Sequence, residues 1–159
     1  MTLDDLSVNF EHLDSATLLQ DWHWLLDAEM LPVLVTLSGD VFVQDSRDGS
    51  VHFLDTVEGQ LDCVADSGDE FSELLKDQEF VMERFAVHLI APRVKAGKAP
   101  TDGRVFSFKH PPALGGDYDR DNLDMTDIEV HFSLTGQTFE QINDLPDGTP
   151  ISEVKIKIH

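Results

Sequence analysis

Two spacings of apolar residues divide the chain. Between Ser15 and Ala28, Leu18, Leu19, Trp22, Leu25 and Leu26 fall on one helical stripe, with Ser15 placed as its N-cap. Ahead of it, Leu3, Leu6, Phe10 and Leu13 predict a further amphipathic turn or two, and Pro32 closes the helical region. From Val33 the period drops to two. Val33–Leu37, Val41–Gln44, Val51–Leu54 and Leu61–Ala65 are short β-rich runs separated by clusters of turn residues. Gly39, Gly49 and Gly59 supply the positive φ that tight reversals require. Reversals at this spacing predict an antiparallel meander.

The helical period then returns. Ser67-Gly68-Asp69-Glu70 fits a capping box, followed by Phe71, Leu74 and Leu75 as an apolar face. A second helix is expected from Asp77, with Phe80, Val81, Phe85, His88 and Leu89 on its stripe, weakening at Pro92. Residues 95–103 read as a loop, Val105–Phe108 as a strand, and the Gly- and Asp-rich stretch Ala113–Asn122 as a loop long enough to be functional. From Thr126 two patterns compete. Ile128, Val130, Phe132 and Leu134 alternate as in a strand, whereas Ile128, Phe132, Thr135, Phe139 and Ile142 follow a helix. The helical stripe persists longer and is chosen, despite Gly136 inside it. Ile151, Val154, Ile156 and Ile158 predict a C-terminal strand with one buried face. The expectation is a single α+β domain over residues 1–159, an antiparallel β-meander packed with several α-helices. Residues 1–14 form a lead-in.

Charge narrows the range of partners. The chain has 159 residues, of which 31 are acidic and 11 basic, for a formal net charge of -20. Residues 1–92 hold most of that excess. Such a field repels nucleic acid and anionic membranes and attracts cationic partners. The N-terminus lacks a basic and apolar signal, and no apolar run is long enough to span a bilayer, so a cytoplasmic location is expected. Cys63 is the single cysteine, which leaves no internal disulfide; its place in a strand-like run predicts a small buried hydrophobe.

Candidate chemistry is sparse. Asp117-Tyr118-Asp119-Arg120-Asp121-Asn122-Leu123-Asp124 resembles the start of a calcium loop, but Asn122 stands where Gly is needed and Ile128 where a bidentate Glu is needed. Pro146-Asp147 followed by Glu153-Val154-Lys155 spells a metal-dependent nuclease signature across a turn-like spacing, in a chain whose charge repels that substrate. None of the seven histidines forms a zinc motif; His88 and His131 are expected as satisfied core histidines. Gln137 and Gln141 share one helical face. No catalytic, metal or cofactor site is assigned.

Several strings taken in order carry a resemblance. They are Gly39-Asp40-Val41-Phe42, Gly49–Asp55, Phe106–Lys109, Pro112–Tyr118, Gly136-Gln137 and Leu145–Thr149. Across roughly residues 15–158 the chain resembles the C-terminal domain family of type VI secretion DNase immunity proteins. That resemblance implies a bacterial, intracellular, non-enzymatic α+β protein that binds and neutralises a co-encoded toxin, with a basic, nuclease-like protein as partner. Asp117, Tyr118, Asp119, Asp121 and Asp124, crowded on one loop, are the candidate contact residues. Two alternatives remain: a general protein-interaction module, and a metal-dependent hydrolase or nuclease built on Asp147, Glu153 and Lys155.

Overall fold

A computed structural model describes residues 1–101, 103–146 and 154–157. Helix α1 (Leu3–Leu6) and strand β1 (Ser7–Val8) are followed by α2 (Ser15–Leu18), a 3-10 turn (Gln20–Trp22) and strands β2 (Met30–Thr36), β3 (Val41–Asp45), β4 (Val51–Asp55) and β5 (Gln60–Ala65). These strands form one antiparallel sheet in the order β1-β2-β3-β4-β5, which is the expected meander with one short strand added at its edge. Gly39, Gly49 and Gly59 all have positive φ at the reversals.

Strand β3 explains the layering. Its neighbours alternate by face: Val41 and Val43 enter one apolar cluster, Phe42 the other, and all three are fully buried. Period two therefore survives in the chain direction, but both faces are dry because helices cover each. On one side Phe42 meets Phe53 and Phe71, each with ring centroids 4.8 Å away, and Phe85 at 5.7 Å. Helices α3 (Gly68–Leu74) and α5 (Val87–Lys95) supply Phe71 and Ile90 to that cluster, and Phe85 enters it from the C-cap of α4 (Gln78–Arg84). On the other side Leu18, Leu19, Trp22 and Leu26 join Ile128 and Phe132 of α6 (Ile128–Asn143). A two-stranded sheet, β6 (Arg104–Phe108) with β7 (Leu123–Asp127), extends this arrangement; the Phe106 amide donates to the Leu37 carbonyl at 2.8 Å.

Several local expectations are corrected. The helix expected over Ser15–Ala28 closes after one turn into the 3-10 segment, and Asp14, not Ser15, caps it, accepting from the Ala16 amide. Pro32 lies inside β2, at an irregularity between Pro32 and Leu34, where its missing N–H disrupts the ladder least. The helix expected from Asp77 breaks at Ala86, which takes a left-handed conformation (φ 49°, ψ 44°), while α5 runs through Pro92 to Lys95. Ser67 caps α3 as expected, but the Glu70 carboxylate accepts from the Asp66 amide. Cys63 is exposed, because β5 is an edge strand that the packed layers only partly cover; His88 is exposed on α5. After Thr126 the helical pattern prevails, as α6 from Ile128, and the alternation of Ile128, Val130, Phe132 and Leu134 forms no strand; the strand that precedes it, β7, ends at Asp127 and is not among those expected.

Helix α6 reaches the 3-10 turn through Gly136. A Cβ built there would lie 2.5 Å from the Asp21 carbonyl oxygen. The close approach lets the Trp24 indole N–H donate to the Gly136 carbonyl (3.1 Å) and the Trp22 indole N–H donate to Thr135 Oγ1 (3.3 Å). Helix propensity alone favours alanine at position 136 by about 1 kcal/mol, but overpacking against a backbone carbonyl costs about 1–3 kcal/mol. Gly136→Ala is therefore expected to destabilise the protein, seen as a lower urea midpoint by tryptophan fluorescence; a raised midpoint would show that the contact relaxes freely.

The C-terminal strand expectation falls largely outside the described residues. Residues 154–157 are described and form no strand; they are held by two glutamines of α6. Gln137 donates from Nε2 to the Lys157 carbonyl (2.7 Å) and accepts the Lys157 amide at Oε1 (2.5 Å). Gln141 does the same for Lys155, at 2.5 Å and 2.8 Å. Helical spacing of four thus matches an extended backbone read at every second residue. Replacing both glutamines by alanine should expose Lys155 and Lys157 to trypsin several-fold faster while leaving the thermal midpoint nearly unchanged.

Candidate functional site

The site is a cavity of about 320 Å³ between the β6–β7 sheet, α5, α6 and the turns at residues 38–40 and 56–57. Phe106, Phe108, Leu123, Phe139 and Ile90 give it apolar walls, and Ser38, Asp40, Thr56 and His131 converge on it. Strongly apolar walls with a few convergent polar groups describe a binding pocket.

The polar floor is built around two reversals of the meander. Gly39 has φ 89°, and a Cβ there would lie 2.5 Å from His131 Nε2. Glycine therefore permits His131 to approach and donate from Nε2 to the Gly39 carbonyl at 2.7 Å. Thr56 Oγ1 lies 2.8 Å from the same carbonyl, 3.1 Å from Asp40 Oδ1 and 3.2 Å from His131 Nε2. The Thr56 amide donates to Asp40 Oδ1 at 2.9 Å, and Ser38 Oγ reaches Asp40 Oδ2 at a long 3.4 Å. Asp40 is 7% exposed and takes no part in any ion pair among the described residues.

Burial governs the charge of this floor. It pushes the Asp40 carboxyl up to about 7, reinforced by nearby Asp55 and opposed by the hydrogen bonds from Thr56 and Ser38. Burial likewise raises Asp55, against hydrogen bonds from the Glu58 and Val57 amides. The same desolvation pulls His131 down to about 4, against its bond to Gly39, so the imidazole is neutral at pH 7.

The five loop residues singled out from sequence are all exposed, and one of them lines this cavity. Asp124 lies on β7 and lines it. Tyr118 packs edge-on against Phe108, a wall residue, with centroids 5.8 Å apart, and its hydroxyl donates to the carboxylate of Glu58, next to wall residue Val57. That bond pushes the phenol up to about 12. Asp117, Asp119 and Asp121 sit on the loop between these points. Asn122 knits it, donating from Nδ2 to the carbonyls of His110 and Asp117, both at 2.8 Å. Arg93 and Lys109 donate to the carbonyls of Arg120 and Asp121, so the cations are spent on main chain. No ion pair among the described residues engages the carboxylates of Asp117, Asp119, Asp121 or Asp124.

Sequence reasoning missed Asp40, Thr56 and Ala86, which also lines the cavity. Gly39-Asp40 and Thr56-Val57 read as ordinary turn residues. The available signal was an acid immediately preceding a continuous apolar strand, a position where water is scarce. His131 is the satisfied core histidine expected. Among the described residues no group of three or more His, Cys, Asp or Glu is placed to hold a metal. Asp147 and Glu153, of the nuclease-like signature, lie outside the described residues.

The two buried groups shape stability against pH in opposite senses. His131 binds a proton more readily unfolded, so its contribution is lost as pH falls from about 6.5 through about 4. Asp40 binds a proton more readily folded, so its contribution is fullest in acid and is lost as pH rises through about 7. The two oppose each other in acid, and above pH 6.5 Asp40 acts alone of the pair. Asp40→Asn should therefore flatten the decline in thermal midpoint between pH 6 and pH 8; a variant declining as steeply as the parent would place the titration elsewhere.

Comparison with known proteins adds a family match over part of the chain. A family model described as the C-terminal part of T6SS immunity protein Tdi1 matches residues 65–138. This is the family that the ordered strings resemble, over a shorter span. The span contains α3 to β7, all five loop residues and α6 as far as Thr138. Among solved structures, the fold is similar to the crystal structure of Atu4351 from Agrobacterium tumefaciens, with a TM-score of 0.58 and 15% identity over 77% of this chain. The aligned part is 61% of that structure's chain, so this chain spans under two thirds of its length. A comparison with curated proteins gave no match.

Proposed function

We propose that this protein is an immunity protein that neutralises a cognate toxin by binding it, without catalysis of its own. The observation that carries this reading is the family match, because its span supplies the helix, the two strands and the loop that surround the cavity. The partner we infer is a basic nuclease-like toxin met in the cytoplasm. A net charge of -20, with unpaired carboxylates on the loop, offers a surface complementary to a protein built to grip phosphate. No helix among the described residues is long and apolar enough to cross a membrane. Long-range attraction of this kind raises association rates towards roughly 10⁸–10⁹ M⁻¹s⁻¹ at low salt.

The test begins with the reading frames adjacent to this gene, one of which should encode a toxin. The product of that frame should co-purify with this protein and lose activity in the complex. Replacing Asp117, Asp119, Asp121 and Asp124 together by lysine should slow association at least ten-fold at low salt and flatten its salt dependence. A complex that forms at the parent rate would remove the loop from the interface. Absence of any complex with neighbouring toxins would favour the general interaction module instead.

A further inference from the structure

We propose that the cavity is an anchor socket for a cationic side chain, specifically the arginine of a protein partner, whose guanidinium pairs with Asp40. The proposal rests on the binding role given above and names the chemistry that the role would use.

Four observations converge on it. A carboxyl group that is 93% buried is a liability unless something compensates it, and here neutral donors from Thr56 and Ser38 do so only in part. Asp40 Oδ1 is fully engaged by Thr56, whereas Oδ2 has only the long contact from Ser38. Lys109, the one cation among the described lining residues, holds its ammonium on the Asp121 carbonyl at 3.3 Å and forms no ion pair. His131 is kept neutral by burial, so it cannot act as the counter-ion.

The walls select among cations. Phe106, Phe108 and Phe139 line the cavity, and a guanidinium is planar, weakly hydrated and stacks on aromatic faces, whereas an ammonium is compact and strongly hydrated. The volume of about 320 Å³ lies at the small end of ligand pockets, suited to one long side chain rather than a cofactor. Buried arginines set among near-neutral contacts are recurrent anchors of protein interfaces. The rim agrees, since exposed Asp124 and the Tyr118–Glu58 pair would steer a cation inward before it is desolvated.

The wall also carries strain of the kind kept at functional positions. Ala86 is the one non-glycine residue of positive φ among the described residues, and it stands at the start of α5 facing this space. A left-handed alanine keeps the turn between α4 and α5 tight without a long side chain that would fill the socket.

The titratable groups around Asp40 are Asp55 at the end of β4 and His131 from α6, and Lys109, just past β6, and Asp124 on β7 line the same cavity. Pairing with a guanidinium would hold Asp40 ionised. Binding should therefore tighten as pH rises from 6 to 8 and should release a proton near neutrality.

The experiment uses the full chain and N-acetyl-arginine amide as probe, followed by proton–carbon NMR of the phenylalanine rings and His131. Saturable shifts at Phe106, Phe139 and His131 are expected with millimolar probe, with at least five-fold weaker binding at pH 6 than at pH 8. N-acetyl-citrulline amide, isosteric and uncharged, should leave those signals unmoved, and N-acetyl-lysine amide should bind at least three-fold more weakly. Asp40→Asn should abolish the arginine response while the protein keeps its fold. Leu134→Trp, at an exposed position on the cavity mouth, should block entry without touching Asp40.

Equal response to arginine and citrulline probes, or an arginine response that survives both variants, would overturn the proposal. A toxin complex that forms but is indifferent to both variants would overturn the socket and spare the immunity role. Arginine binding without any toxin complex would do the reverse.

Discussion

Thr56 holds the molecule's layers in register. Its hydroxyl lies within hydrogen-bonding distance of the Gly39 carbonyl, Asp40 and His131, and its amide donates to Asp40. One residue thus ties two reversals of the meander to the longest helix, in a place that is 2% exposed. Polar groups so buried are costly unless each finds a partner. The geometry at Gly39 is equally strict, since any Cβ would occupy the space of the imidazole. Helix α6 therefore docks in one orientation. Its middle is fixed by the same means, through Gly136 against the Asp21 carbonyl and two indole donors.

That rigid frame leaves the β6–β7 sheet and its loop to enclose an apolar space over a polar floor. Among the described residues no cation forms an ion pair with the carboxylates of Asp117, Asp119, Asp121 or Asp124. Arg93 and Lys109 hold its carbonyls, and Arg104 pairs with Asp127 at the strand's start. The loop is thus ordered by bases that form no ion pair with its carboxylates among the described residues. A surface that is both ordered and electrostatically unsatisfied is preorganised for a cationic partner.

The meander was legible because its signals are local. Gly39, Gly49 and Gly59 mark the reversals, and alternation survives within each strand. What failed depended on distance. The Ser15–Ala28 stripe promised a long helix, yet Trp22 and Trp24 must reach Thr135 and Gly136, and a tight 3-10 turn places both indoles there. Cys63 looked internal because its run is β-like, but burial depends on which strand takes the edge, and β5 does. The acidic loop was found from composition, whereas Asp40 was not. An aspartate beside a glycine in a turn carries the same local signature whether solvent or a helix lies above it.

The grip of Gln137 and Gln141 on residues 155 and 157 has an evolutionary corollary. Both amides read main-chain N–H and carbonyl groups and ignore what hangs from the Cα atoms. Side chains at those two places can drift without loosening the clasp, with one exception: proline, which brings no N–H to be read. Related chains should therefore vary freely there in size and charge while excluding that single residue.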